Sequence, residues 1–172
     1  MVEKEAIREK EAETKETSYD YQARRFNQMI ERARTGKKVL RAKDNPFVLN
    51  RQGYIRHYAH EERTDQACSN WAIFSHEIRV HSGRHRHQGG YHLFVIRGKG
   101  YTTVDGKRFD WKEGDLILLP IKKDGVVHQH FNVDGKPSRW VAFNHLKFAE
   151  TYGRFREQKE VIPDYSKKKG DK

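Results

Sequence analysis

Short runs of alternating apolar and polar residues, broken by glycine, proline, asparagine and aspartate, occupy most of the chain between Phe47 and Phe155. A period of two marks a strand with one buried face. PFVLN, after the Asp44-Asn45-Pro46 stop, and YIRHY, after Gly53, therefore read as two short strands. NWAIFSHEIRVH continues as a β-rich run into a turn at Ser82 and Gly83. YTTV and KRFDW flank Asp105-Gly106, a hairpin signal. DLILLP is a nearly continuous apolar run that suits a buried strand ended by Pro120, VHQHF alternates, and RWVAF supplies a last strand. Turns at this spacing are what an antiparallel sandwich or barrel requires.

Two stretches follow a longer period. Thr17 or Ser18 can cap a helix in which Tyr19, Ala23, Phe26, Met29, Ile30 and Ala33 recur every three or four positions, until Gly36 ends the run. Arg24, Arg25, Arg32 and Arg34 form the opposite face, so the apolar stripe is expected to pack on the barrel or on a partner subunit. A second helix is expected to contain Phe148, Tyr152 and Phe155, ahead of a disordered KKKGDK tail. Residues 1 to 16 alternate charge with almost no apolar periodicity and read as a solvated helix or a disordered segment. The expectation is a mainly β protein with a charged, partly helical arm over residues 1–38, a barrel over 39–146, and a helix with a basic tail over 147–172.

At 172 residues this is one domain with appendages. Lys and Arg number 35 against 24 Asp and Glu, a formal charge of +11, which raises nucleic-acid binding as a possibility. The basic residues are spread along the chain, and neither a zinc-finger spacing nor an RNP-like motif occurs. The charge is therefore read as solubility and attraction for anionic small molecules. Cys68 is the single cysteine, so no intrachain disulfide can form; near Trp71 it reads as a small packing residue. No apolar run approaches the ~20 residues of a membrane span, and a cytoplasmic protein is expected.

The chemistry concentrates between His85 and Asn132. His85 and His87 are two apart, so on a strand both imidazoles project from one face and can grip one ion, whereas a helix would splay them about 200 degrees apart. An HxH pair alone reads as two polar residues on an exposed strand. His128, at the end of another β-rich segment, offers a third ligand, and such imidazoles suit iron, zinc, copper or nickel. His57 and His60 lack a partner at a diagnostic spacing, and His81 is a candidate for the pocket mouth, its face not fixed through the turn.

At these residues the chain resembles the cupins, whose antiparallel jelly-roll barrel carries two motifs. His85, His87 and Gly98 match the first; Gly114, Pro120, Gly125, His128 and Asn132 match the second, with a long loop after Pro120. Where most cupins place a ligating Glu, the spacing gives Tyr91, with His92 beside it. Gentisate-type dioxygenases are similar here: they have an HRH, lack the Glu, and end the second motif in an HxH. The resemblance covers roughly Glu77 to Phe143 and implies a metal site of His85, His87 and His128. Strand parity turns Tyr91 inward and His92 outward unless a bulge at Gly89 and Gly90 shifts the register. His130 shares the His128 face, where acid and base work is one role and a hydrogen bond in the barrel wall another.

The leading expectation is a dioxygenase that uses iron(II) to act on a small substrate, aromatic or carboxylate-bearing, with His130 and Tyr91 as catalytic candidates. Zinc, nickel, manganese or copper could replace iron. The alternative is a non-redox metal cupin, an isomerase, lyase or decarboxylase, or a small-molecule-binding protein without catalysis. Arg84 and Arg86 could attract a carboxylate, although parity turns both away from the metal. A homodimer is expected, because an apolar helical stripe and open sheet edges call for cover.

Overall fold

The alternating runs become two antiparallel sheets. The computed structural model describes residues 16–68, 70–153 and 155–170, with side chains through Lys167. Eleven strands follow in order: β1 Val48–Asn50, β2 Gly53–Ala59, β3 Trp71–Ile78, β4 His85–His87, β5 Tyr91–Arg97, β6 Lys99–Val104, β7 Lys107–Lys112, β8 Leu116–Leu119, β9 Val126–Asn132, β10 Ser138–His145 and β11 Arg156–Gln158. One sheet has the order β1-β2-β3-β10-β5-β8, the other β11-β4-β9-β6-β7. Together they form an antiparallel barrel, as the pattern predicted, of the jelly-roll kind that the resemblance implied.

The core lies between the sheets. Ile78, Leu93, Val95 and Trp140 from the first sheet meet Val126 and Trp111 from the second, all buried. Burying an aliphatic side chain of this size stabilises the fold by about 1.5 to 3 kcal/mol, so the inward parity of these strands is fixed by what a register slip would expose.

Two turns show why glycine occurs where it does. Asp105 and Gly106, joining β6 to β7, have φ of 49° and 83°. Both values are positive, as the twist of a two-residue hairpin demands. Gly89, between β4 and β5, has φ 88°, and a Cβ there would lie 1.8 Å from the Pro120 carbonyl oxygen. That close approach holds the end of β4 against the end of β8.

The described residues fall into two compact units: the chain up to Lys38 with Thr64–Cys68, and Val39–Arg63 with the chain from Asn70 on. In the first, helix α1 spans Ser18–Thr35, with Thr17 and Asp20 forming a capping box and Gly36 at the C-cap. None of its residues is buried, and Tyr19, Phe26 and Ile30 are exposed within the chain.

The structure departs from the sequence reading at several points. The DLILLP strand, β8, is an edge strand rather than a buried one, with Leu116 and Leu118 54% and 57% exposed. Cys68 is exposed rather than packed. Helix α2 covers only Leu146–Thr151, so Phe155 lies beyond it. The chain then adds β11 beside β4 and a helix α3, Pro163–Gly170, which takes in part of the basic tail; Asp171 and Lys172 lie outside the described residues. The charged segment ahead of Glu16 also lies outside them. No described helix is long and apolar enough to cross a membrane.

Gly89 and Gly106 share a positive φ but differ in space, since nothing lies within 4 Å of a Cβ at Gly106. Gly106→Ala is expected to cost roughly 1 to 2 kcal/mol, the penalty of left-handed backbone alone. Gly89→Ala adds a steric clash and should cost about 3 kcal/mol or more. Urea denaturation of the two variants measures the difference, and equal losses would contradict the packing described at Pro120.

Candidate metal centre

Strand register assembles the site. β4 pairs with β9 so that His85 stands opposite His128, and His87 shares the His85 face two residues on. Their ring centroids are 5.3 Å (His85 to His87), 4.2 Å (His85 to His128) and 4.7 Å (His87 to His128) apart. One ring nitrogen from each lies within 4.8 Å of the others, and all three residues are buried. Closing on an ion with bonds of about 2.0 to 2.1 Å would draw these nitrogens to roughly 3 to 3.5 Å apart. Three imidazoles without a carboxylate suit iron, zinc, copper or nickel rather than magnesium or calcium.

The electrostatics favour ligation. Burial pushes His85 down to about 4 and His87 to about 3, with the positive charge of Arg156 adding to both, and lowers His128 well below its ordinary value. All three rings are therefore neutral near pH 7, the form that binds a metal. His85 Nδ1–H donates to the Gly83 carbonyl at 3.1 Å, which leaves the Nε2 lone pair free. His87 differs: the Gly89 amide donates to its Nδ1 at 2.9 Å, which places the ring proton on Nε2. Ligation through Nε2 of His87 thus requires the Gly89 contact to yield.

The three rings face a cavity of about 20 Å³, lined also by Gln52, His76, Tyr91, His130, Trp140 and Arg156 among others, with no Asp or Glu. A volume of that order holds about one water. Tyr91 is 8% exposed, its ring 4.6 Å from that of His87, whereas His92 is exposed on the outer face. Tyr91 and Leu119 also line a wider surface groove of about 280 Å³ with Trp71, His92, Ile121 and Phe148.

His130 stands opposite Thr102 on β6, and its Nδ1 lies 2.8 Å from the Thr102 hydroxyl. Trp111 Nε1–H donates to that same oxygen at 2.9 Å. Thr102 can then turn its own proton toward Nδ1, which keeps the ring proton of His130 on Nε2. Burial lowers the pKa of His130 far below the ordinary histidine value, so the ring is a neutral hydrogen-bond donor at pH 7.

Four lining residues that carry polar side-chain atoms escaped the sequence reading: Gln52, His76, Trp140 and Arg156. His76 could have been found, since it shares inward parity with Ile78 on β3. Arg156 could not, because it belongs to the unforeseen β11. Arg84 and Arg86 point outward, paired with Glu160 at 3.6 Å and Glu157 at 2.9 Å. His81 lies beside Ser82 and Gln129 instead of at the cavity, and Asn132 ties the turn before β10 through Arg79, Asp134 and Lys136.

The sequence profile of the cupin domain matches residues 77–144. A gentisate 1,2-dioxygenase of a Streptomyces species is 40% identical over 58 residues, which are 33% of this chain and 15% of that protein. One from a Ralstonia species is 38% identical over 58 residues, 33% of this chain and 16% of that protein. The chain thus matches about a sixth of the length of these relatives. Among solved structures, a cupin-like protein of Thermotoga maritima superposes with a TM-score of 0.50 at 21% identity, covering 78% of this chain and 92% of that one.

Metal and protons should compete for these rings. Because the folded-state pKa values of His85 and His87 are depressed from 6.5 to about 4 and about 3, the metal-free fold keeps its full stability above pH 6.5 and loses it as pH falls toward those values. Added zinc is expected to raise the melting temperature at pH 7, with the gain holding until pH falls toward 4, where protons begin to compete for the folded rings. Scanning calorimetry from pH 8 to below pH 4 reads both; a zinc gain independent of pH would contradict histidine ligation.

Proposed function

Residues 77–144 being a cupin domain, we propose that His85, His87 and His128 hold a divalent metal, iron(II), in a dioxygenase that acts on a small oxygenated substrate, aromatic or carboxylate-bearing. The observation that carries this reading is the set of three buried, neutral imidazoles converging on one cavity. An iron(II) ion with open positions would bind a bidentate substrate and dioxygen together. The chain's own residues would position and exclude. His130, held neutral by burial, would donate a hydrogen bond from Nε2 to substrate oxygen, and the Tyr91 ring would shape the approach. The partial likeness to gentisate dioxygenases over 58 residues supports oxygen chemistry.

One observation favours a second reading. A cavity of about 20 Å³ takes little beyond the ion and one small group, which suits a non-redox isomerase, lyase or decarboxylase of a compact acid. An aromatic substrate would need more room than that, and a groove of about 280 Å³ shares Tyr91 and Leu119 with the cavity. Metal analysis with oxygen uptake separates the two: bound zinc with no oxygen consumption across catechols and hydroxybenzoates would favour the second.

Replacing His85, His87 or His128 with Ala is expected to remove most of the bound metal, and His92→Ala to leave it in place. His130→Ala should retain metal and lower single-turnover rate by about 10²- to 10³-fold, the scale for losing one preorganised donor. A full rate at full occupancy would take His130 out of the mechanism.

We also propose a homodimer through the outer face of the six-stranded sheet. Phe94 pairs in register with Leu116 and with Val141, and His92 with Leu118 and Phe143, so the exposed apolar residues form one contiguous patch ending at the open edge of β8. Light scattering should give twice the chain mass, and Leu118→Lys should give the monomer. A monomeric wild type would end this proposal.

A further inference from the structure

Arg156 is placed unlike the other arginines around it. On the neighbouring strand pair, Arg84 and Arg86 each meet a glutamate, and Arg139 meets Glu77. Arg156 is exposed and makes no ion pair or hydrogen bond among the described residues, and it also lines the histidine cavity. β11 carries it there: Arg156 is the register partner of His87. Partners in an antiparallel ladder project to the same side, so the guanidinium and the imidazole share one face.

Two further donors line the same cavity without a partner among the described residues, Gln52 Nε2 and the indole N–H of Trp140, a residue only 3% exposed. A buried donor left unpaired is costly until an acceptor arrives. The cavity holds no carboxylate to supply one. A divalent ion on three neutral imidazoles would add two positive charges to that of Arg156, with no carboxylate among the described lining residues to balance them.

We infer that Arg156 is the residue that selects the substrate's charge: it pairs with a carboxylate of a small hydroxy acid whose second oxygen faces the histidines, while Gln52 and Trp140 donate to the remaining oxygens. This inference rests on the metal reading above and deepens it. A guanidinium offers two parallel N–H groups to a carboxylate, a geometry that lysine cannot reproduce.

The test uses glycolate and its neutral isostere glycolamide, titrated by calorimetry into the wild type, Arg156→Gln and Arg156→Lys, each carrying whatever zinc it binds, with metal content measured alongside. Glycolate affinity is expected to fall about 10-fold or more in Arg156→Gln and to recover in part in Arg156→Lys. Glycolamide affinity and zinc content should stay within about twofold, the level at which a lost charge-assisted hydrogen bond would be clear. An unchanged glycolate affinity in Arg156→Gln, equal losses for both ligands, or no glycolate binding by the wild type overturns the assignment. A wild type that takes up no zinc instead sinks the metal reading, while the same titration still reports whether glycolate depends on Arg156. Because zinc supports no oxygen chemistry, the result is independent of whether the protein is a dioxygenase.

Discussion

In an antiparallel pair, a slip of one residue sends every side chain to the opposite face, and the register of β4 against β9 is therefore what the site depends on. His85 faces His128 and His87 faces Val126, which is fully buried. A slip would expose Val126 and scatter the imidazoles together, so core packing and ligand geometry are enforced by the same contacts. The turns help hold the register. Asp105 accepts from the Val127 amide at 3.0 Å and its own amide donates to the Val127 carbonyl at 2.8 Å, which pins the hairpin tip to β9 one residue before His128.

Burial then sets the chemistry. The charge of +11 sits mostly on the surface, where Glu157 and Glu160 are engaged with outward-facing arginines and Glu77 serves Arg79, Arg97 and Arg139. The exposed pairs of Glu157 and Glu160 add little stability each. Their effect here is spatial: the acidic groups near these strands are occupied outside, and the cavity is left with neutral histidines and one guanidinium. Desolvation is the largest cause holding each of the five buried histidines, His76 and His130 included, below its ordinary pKa.

How far the sequence could be read follows from the range of the rules applied. Parity within one strand is local and robust: it put Tyr91 inward and His92 outward, and the Asp105-Gly106 turn and the Thr17 cap were equally local. Position within a sheet is not local. The apolar run of β8 looked buried because nothing in LILL distinguishes a central strand from an edge strand. β11 is three residues long, REQ, with no alternation of apolar and polar residues, and its pairing with β4 is enforced by a distant neighbour. Arg156 was invisible for that reason. His76 was visible in principle, on the inward face of a strand that was recognised.

The residue at the fourth place explains the charge of the whole site. Where a ligating carboxylate would cancel part of a divalent ion's charge, Tyr91 sets a tilted phenol ring 4.6 Å from His87 and brings no such compensation. Tyr91 lines both the cavity and the groove. With Arg156 adding to the positive field felt at His85 and His87, balance has to come from whatever binds. A neutral ligand would leave that field uncompensated at the buried imidazoles. An anion would satisfy it. Tyr91 at that place and Arg156 on the C-terminal strand therefore act in the same direction, leaving the described cavity lining with positive and neutral groups only.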